Sequence, residues 1–129
     1  MELTSLIIQK YSKYTTPKLK TKAQTVFNAW IRKRDAGKRC VSCSGYNISQ
    51  ASHYYSAGKH SNLRFHEDNV WGSCLKCNYF EHGNLIPYRA ELIKRIGIDR
   101  VEVLDNLSKV RVTKQDRFLY IQIIEKYKN

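Results

Sequence analysis

The sequence lacks any apolar run near the roughly 18 residues that a membrane-spanning helix needs. Residues 1–8 also lack the basic and long apolar segments of a signal peptide. We therefore expect no membrane span and a reducing, intracellular compartment. In such a compartment, paired cysteines are more often metal ligands than disulfides.

Acidic side chains are also scarce. The chain has 11 Asp and Glu against 23 Lys and Arg, which gives its 129 residues a formal charge of +12. Basic residues run from Lys10 to Lys128 and do not form a terminal tail. Because such a field attracts polyanions, nucleic acid is the first predicted partner and an anionic membrane surface the second. The hydrophobic content of 42% argues against wholesale disorder.

Apolar residues at helical spacing predict a helix over about 21–36, with Thr21 as its N-cap and Gly37 as its stop. Before it lies a mixed basic arm, in which Pro17 should interrupt any helix and a short helix could form at 3–10. Gly, Ser, Asn and short apolar runs predict turns and short strands over 38–76.

A second helix is predicted to begin near Cys77, with a break or new first turn near Gly83 or Pro87. Its apolar stripe consists of Leu85, Ile86, Leu92, Ile93 and Ile96. Asp99 could cap a short helix through residue 104, and residues 113–116 resemble a capping box before a terminal helix. The apolar residues of that helix could be core or could form a dimer interface: Phe118, Ile121 and Ile124.

Two CxxC pairs, Cys40 with Cys43 and Cys74 with Cys77, are separated by thirty residues. Four thiolates complete a tetrahedral set for Zn²⁺ and leave no position for water, so the predicted zinc is structural. The alternatives are four unrelated buried cysteines or a redox pair, although no thioredoxin-like pattern surrounds either pair. A knuckle, strands and a second knuckle leading into a helix describe a treble-clef finger. The predicted fold class is therefore α+β: a small treble-clef zinc finger with a ββα-metal, HNH-like unit, flanked by helices.

Polar residues between and after the pairs suggest metal-assisted phosphodiester hydrolysis. His53 could be the base that activates water, and Asn69 could orient it or fix the turn that positions it. Asn78, with His82 as a weaker ligand at i+4, could reach a catalytic Mg²⁺ or Mn²⁺ ion. The structural alternatives are a satisfied strand histidine, an Asx turn and a helix cap. The order His, Asn, Asn through two zinc knuckles is the pattern of an HNH-type nuclease.

The chain resembles the NinG family of lambdoid phages, also called Rap recombination proteins, in four stretches: AQTVFNAWIRKRDAGKRCVSC, ASHYYSAG, LRFHEDNVWGSCLKCNYFEHGN and IPYRAELIKRIG. The resemblance implies a phage or prophage endonuclease that cuts branched DNA, including Holliday junctions and D-loops, in the bacterial host cytoplasm. It also implies that the four cysteines bind zinc and that His53, Asn69 and Asn78 match the nuclease positions. Arg64, Gly83, Asn84 and Arg89 fall on further motif positions, to which the sequence assigns no chemical role.

Two departures from the pattern matter. Ser52 stands where many HNH nucleases place an Asp or His metal ligand directly before the base, so the first ligand of the catalytic metal is unassigned. His53 could itself be that ligand. The chain also looks shorter than usual for the family on its N-terminal side.

The predicted organisation is a basic arm at 1–20, the nuclease domain at 21–112 and a C-terminal helix at 113–129.

Basic side chains near these motifs are the predicted DNA contacts: Arg64, Lys76, Lys33, Arg34, Lys38 and Arg89. Aromatic side chains could stack on unpaired bases at a branch point or be core: Tyr54, Tyr55, Phe80 and Tyr88.

The predicted function is a metal-dependent, structure-selective DNA endonuclease, plausibly a homodimer because symmetrical cutting needs two sites. The alternatives are a non-catalytic zinc-finger DNA-binding protein and a basic assembly or scaffolding protein.

Overall fold

The computed structural model describes residues 2–111 and 115–129, in which five α-helices surround a two-stranded antiparallel hairpin. The helices are α1 (Ser5–Lys10), α2 (Thr16–Arg34), α3 (Leu85–Ile96), α4 (Ile98–Ser108) and α5 (Arg117–Tyr127). The strands are β1 (Gln50–His53) and β2 (Val70–Ser73), and their register pairs Ser52 with Trp71 and His53 with Val70. Short turns of 3₁₀-helix lie at Ser61–Leu63 and Glu67–Asn69, and a π-helical turn lies at Lys76–Phe80. None of the described helices is long and apolar enough to cross a bilayer.

The hairpin lies between two hydrophobic cores. The first core joins α2 to α5 and includes Phe27, Ile31 and Ile121, and Val70 of β2 packs into it. The second core joins α3 to α4 and includes Leu92 and Leu104, and it receives Trp71. Because neighbouring side chains of a strand point to opposite faces, Val70 and Trp71 enter different cores. The short sheet thus connects both halves of the molecule.

Helix α2 begins five residues earlier than predicted. The Thr15 side chain accepts a hydrogen bond from the Lys18 backbone N–H, and Pro17 lies in the first turn. Proline suits this position because the first N–H groups of a helix have no intrahelical acceptor. The predictions that Pro17 interrupts a helix and that Thr21 is the cap are therefore wrong, whereas the short helix predicted at 3–10 is confirmed as α1.

The predicted apolar stripe of α3 matches the core in part, since Leu92 is buried and Ile96 packs against the second core. Tyr88 and Leu92 are its buried residues, whereas Ile86 is 89% exposed. The helix predicted to begin near Cys77 is interrupted, because the helical turn after Cys77 ends at Phe80 and α3 starts at Leu85. The break predicted near Gly83 is confirmed.

The ends of the last two helices also differ from prediction. Helix α4 starts after Gly97, whose φ is +86°, and continues to Ser108, so Asp99 lies in its first turn and is not the cap. Asp116 caps α5 by accepting from the Leu119 N–H. The capping box predicted at 113–116 lies partly outside the described residues. Ile121 and Ile124 are core, and Phe118 is exposed.

A buried carboxylate fastens α2 to β2. Asp35 is fully buried at the C-cap of α2 and accepts two hydrogen bonds from Arg34, at 2.8 and 2.9 Å. It also accepts from the Gly72 N–H at 2.7 Å and from Lys38 Nζ at 3.3 Å. Burial acts to raise the pKa of Asp35, but these donors outweigh it and hold the pKa below its usual value. The carboxylate is thus kept charged inside the protein.

Arg34 and Gly72 are both constrained by this contact. Arg34 also donates to the carbonyls of Glu67 and Val70, at 3.0 and 2.8 Å, so one guanidinium joins α2 to the segment entering β2. At Gly72 an added Cβ would lie 3.1 Å from the Asp35 Cβ and 2.7 Å from an Ile48 methyl. A side chain at this position would therefore separate helix from strand.

We expect Asp35→Ala to lower the free energy of unfolding by about 3–5 kcal/mol, because it leaves the partly buried Arg34 guanidinium without its carboxylate and the buried Gly72 N–H without its acceptor. Urea denaturation followed by circular dichroism measures this. The control is Glu102→Ala on the exposed face of α4, for which a change within about 0.5 kcal/mol is expected. Equal effects of the two substitutions would contradict the proposed role of Asp35.

Candidate functional site

The four cysteines converge although thirty residues separate the two pairs. Their Sγ atoms all lie within 4.8 Å of one another, and those of Cys43 and Cys74 are 3.7 Å apart. Tetrahedral Zn²⁺ with Zn–S bonds of about 2.3 Å requires sulfurs about 3.8 Å apart. The cluster therefore fits a structural zinc ion, held by Cys40, Cys43, Cys74 and Cys77.

Backbone N–H groups already point at the sulfurs. The Ser42 N–H donates to Cys40 Sγ at 3.4 Å, and the Cys77 N–H donates to Cys74 Sγ at 3.5 Å. Burial acts to raise the pKa of Cys40, but backbone N–H donors outweigh it and lower the pKa to about 7. These donors stabilise the thiolate of Cys40, which is the form that binds metal, whereas burial raises the pKa of Cys77.

The motif residues Gly83 and Asn84 have a clear structural role. The Gly83 N–H donates to the Cys77 carbonyl at 2.7 Å, and its own carbonyl accepts from Ser42 Oγ at 2.7 Å. Asn84, in the left-handed region at φ +50°, donates to Cys77 Sγ at 3.7 Å and precedes α3. These contacts join both knuckles to the start of α3.

His53 is half-buried at the end of β1. Its Nε2 lies 3.0 Å from the Arg64 carbonyl oxygen, and because a carbonyl can only accept, Nε2 carries the hydrogen. Burial lowers the pKa of His53 more than this hydrogen bond raises it, and the Arg64 charge lowers it further. The structure thus holds a neutral ring whose Nδ1 can accept a proton or a metal ion.

Asn69 fastens the loop between the strands. Its buried side chain donates to the carbonyls of Tyr55 and Leu63, both at 3.0 Å, and accepts from the Tyr55 N–H at 2.9 Å. These bonds hold the segment after His53 against the turn that carries Arg64. They correspond to fixing a turn, one of the two roles considered for Asn69, and not to a direct bond to the histidine.

Asn78 lies on the other side of β1 from His53. Its side chain donates to Gln50 Oε1 at 3.4 Å. Gln50 and Ser52 share one face of β1 and His53 projects from the opposite face, because side chains alternate along a strand. The hydrogen bonds among the described residues do not join Asn78 to His53.

The predicted pairing of Asn78 with His82 on one helical face is wrong. The π-helical turn ends at Phe80, and His82 lies beyond it, exposed and with φ +51°. Ser52, at the unassigned ligand position, is buried, and its Oγ has no hydrogen-bond partner among the described residues. In the part of the chain that the structure describes, the cysteines are the one group of three or more His, Cys, Asp or Glu placed to share a metal ion.

Three of the predicted DNA contacts are used inside the protein. Arg34 binds Asp35, and Arg64 donates to Gln24 Oε1 and the Ala57 carbonyl, both at 3.2 Å. Arg89 forms a bidentate pair with Asp105, at 2.8 and 2.9 Å. These three arginines were predicted to contact DNA because of their position in the sequence. Sequence position does not reveal the acceptors that they bind inside the protein.

The other three predicted contacts remain largely exposed: Lys33, Lys38 and Lys76. Among the aromatic residues, Tyr88 is fully buried and its hydroxyl donates to the Ser52 carbonyl, so it is core. Phe80 is 67% exposed and packs edge-on against Tyr79, an exposed aromatic that the sequence analysis missed. The sequence signal for this exposed pair was two consecutive aromatic residues, which follow the second CxxC pair after Asn78.

We expect the folded chain to bind one Zn²⁺ ion. The Cys74→Ser variant should lose this ion and unfold at a lower temperature, because a structural zinc ion binds the folded state and thereby stabilises it. Atomic absorption and thermal denaturation measure both effects. Ser56→Ala, in an exposed loop, is the matched control. Full zinc content in the cysteine variant would rule out the tetrathiolate site.

The pKa of His53 in solution should lie below the ordinary histidine value of 6.5, because burial disfavours the charged ring. NMR titration of the ring signals, assigned with His53→Gln, measures it. Since the folded-state pKa is depressed, the stability that neutral His53 provides is present above pH 6.5 and falls as pH drops through the folded pKa. A midpoint above 6.5 would contradict this geometry.

Comparisons with known proteins agree in pointing to one family. A family model described as "Bacteriophage Lambda NinG protein" matches residues 4–129. The protein ninG of Escherichia phage lambda is 42% identical over 86 residues, covering 65% of this chain and 42% of that protein. The protein ninG of Salmonella phage P22 is 42% identical over 89 residues, covering 67% and 44%.

The match spans less than half the length of these curated relatives. No solved structure matches the chain. Because the family model covers nearly all of the sequence, the chain belongs to the NinG family of phage proteins.

Proposed function

We propose that this chain is an HNH-type, metal-dependent and structure-selective DNA endonuclease that acts on branched recombination intermediates of a phage or prophage in the bacterial host cytoplasm. The observation that carries the proposal is His53, held as a neutral Nε2–H tautomer by the Arg64 carbonyl. The order of His53, Asn69 and Asn78 around two cysteine pairs supports it, as do the charge of +12 and membership of the NinG family.

His53 would act as the general base. Its Nδ1 takes a proton from water, the resulting hydroxide attacks the phosphorus, and the P–O bond to the leaving sugar oxygen breaks. The leaving oxygen takes a proton from solvent. The Arg64 carbonyl keeps the ring in the required tautomer and stabilises the imidazolium, and Asn69 holds the loop that presents this carbonyl.

The cysteine cluster would have a purely structural part in this scheme. The hairpin lies between the two pairs and α3 follows the second pair, which is the chain order of a treble-clef finger with a ββα unit. Zinc bound to four sulfurs has no open position for water or substrate. It would fix both knuckles and, through Gly83 and Asn84, the start of α3.

The catalytic cation is not provided for by the described residues alone. Asn78 offers one amide oxygen, and neither His82 nor Ser52 is placed to complete a site. Mg²⁺ is commonly held by one or two protein oxygens together with water and substrate phosphates. The proposed endonuclease would therefore require added Mg²⁺ or Mn²⁺ for activity. A homodimer also stays a proposal, although Ile121 and Ile124 lie in the core and cannot form its interface.

A non-catalytic zinc-finger DNA-binding protein is the second candidate. The observation that favours it is the placement of His53 and Asn78 on opposite faces of β1. This function requires the cysteine cluster and the positive charge, but no nucleophile activation.

Cleavage of a labelled four-way junction, compared with a linear duplex of the same sequence, tests the two candidates. With Mg²⁺ or Mn²⁺ we expect cutting near the branch, and His53→Ala should slow it about 10²–10⁴-fold because the general base is lost. The rate should also fall as pH drops through the depressed pKa of His53, where Nδ1 becomes protonated.

His60→Ala is the matched control, because His60 contacts the Tyr55 ring and has no part in the proposed reaction. Binding of the junction by His53→Ala, with zinc retained, would confine the defect to chemistry. Binding without cutting by the wild type under every divalent metal would establish the non-catalytic function. Equal cutting by wild type and His53→Ala would exclude this base.

A further inference from the structure

A cationic cleft lies beside the first cysteine knuckle, on the face of the hairpin opposite to His53. It has a volume of about 610 Å³, and its lining includes Lys38, Arg39 and Arg95, with Glu91 as the one carboxylate and the Trp71 indole. Three cations thus face one anion in a concave site. We infer that this cleft binds a phosphodiester group of the DNA backbone, an inference that rests on the proposed function and adds a binding site to it.

The cations of the cleft are held in position before any ligand arrives. Lys38 Nζ lies 5.5 Å and the Arg95 guanidinium carbon 5.4 Å from the centroid of the Trp71 ring. Lys38 also bonds Asp35 at 3.3 Å. Side chains that are already ordered lose less conformational entropy on binding, so this arrangement suits a fixed contact with an anion.

Arg95 has unused hydrogen-bonding capacity. Its Nε donates to Glu91 at 2.8 Å and its Nη2 donates to the Arg39 carbonyl at 3.0 Å. Its buried Nη1 has no hydrogen-bond partner among the described residues. An unpaired buried guanidinium N–H is costly. Because Nη1 itself is enclosed, a phosphate in the cleft would interact with the charge of Arg95 and with the exposed 16% of its side chain.

Arg39 forms the outer edge of the cleft. Its guanidinium lies 4.6 Å from the centroid of the Tyr46 ring and donates to the Tyr46 hydroxyl, and both residues are exposed. A guanidinium kept planar against an aromatic ring presents its remaining N–H groups to solvent. Phosphate oxygens match that geometry.

The cleft borders the hairpin on the face opposite to His53, because Val70, the partner of His53, and Trp71 point to opposite faces of β2. Trp71 lies opposite Ser52 in the hairpin register, one residue pair from His53 and Val70. A DNA backbone bound in the cleft would therefore run close to the hairpin. Phosphate contacts of this kind fix position and orientation without reading sequence, which is what recognition of DNA shape requires.

Equilibrium binding of the full chain to a labelled four-way junction, followed by fluorescence anisotropy without added Mg²⁺ or Mn²⁺, tests the cleft. We expect Arg39→Gln and Arg95→Gln each to weaken binding about 3–10-fold. Each should also reduce the slope of log K against log salt concentration by about 0.9, the value for one lost phosphate contact. Because no cutting is needed, the outcome does not depend on whether His53 is the base.

Lys94→Gln is the matched control. Lys94 is exposed on α3 next to Arg95, does not line the cleft, and its substitution removes the same charge. We expect less than a twofold change in affinity and little change in slope. Weakening equal to that of Arg39→Gln would show a diffuse charge effect and overturn the site.

Circular dichroism and zinc content establish that each variant is folded. If Arg95→Gln is unfolded, the exposed Arg39 decides the outcome alone. Unchanged binding by folded Arg39→Gln would overturn the inference. A titration with inorganic phosphate at constant ionic strength tests whether the cleft binds a free anion instead. Saturable phosphate binding that requires Arg39, together with an unchanged DNA affinity of Arg39→Gln, would assign the cleft to a free anion. That result would overturn its role in DNA binding.

Discussion

The buried carboxylate of Asp35 is the contact on which the arrangement of the hairpin depends. It binds the guanidinium of the preceding residue and the backbone of Gly72 in β2. A buried charge without such partners would cost several kcal/mol, so helix α2 and strand β2 are held at a fixed approach. Gly72 is required at this point because a Cβ there would collide with Asp35 and Ile48. The end of the longest helix is thereby joined to the middle of the sheet.

The cysteine knuckles are connected to the hairpin by a second route. Gly83 links the two knuckles, Asn84 donates to a cysteine sulfur, and α3 begins directly afterwards. From α3 the Tyr88 hydroxyl reaches the Ser52 carbonyl in β1, at 2.6 Å. Metal binding at the cysteines would therefore also stabilise strand β1.

The positive charge of the chain has two separate uses. Some guanidiniums act as internal cross-links: Arg34 and Arg64 bind backbone carbonyls, and Arg89 binds Asp105. Other cations are held at the surface by aromatic rings, as Lys38 is by Trp71 and Arg39 by Tyr46. The count of 23 Lys and Arg thus overstates the number of cations available to a polyanion.

The sequence by itself determined the local features: two cysteine pairs that could share a metal ion, short strands between them, an α-helix break near Gly83 and a short helix at the N-terminus. Spacing and turn chemistry act over a few residues, so they can be read without a structure. Only the tertiary structure decided which residues of α3 are buried, the internal partners of Arg34, Arg64 and Arg89, and the placement of His53 and Asn78 on opposite faces of β1. These depend on contacts between residues far apart in the chain, and a one-residue step along a strand reverses the face to which a side chain points.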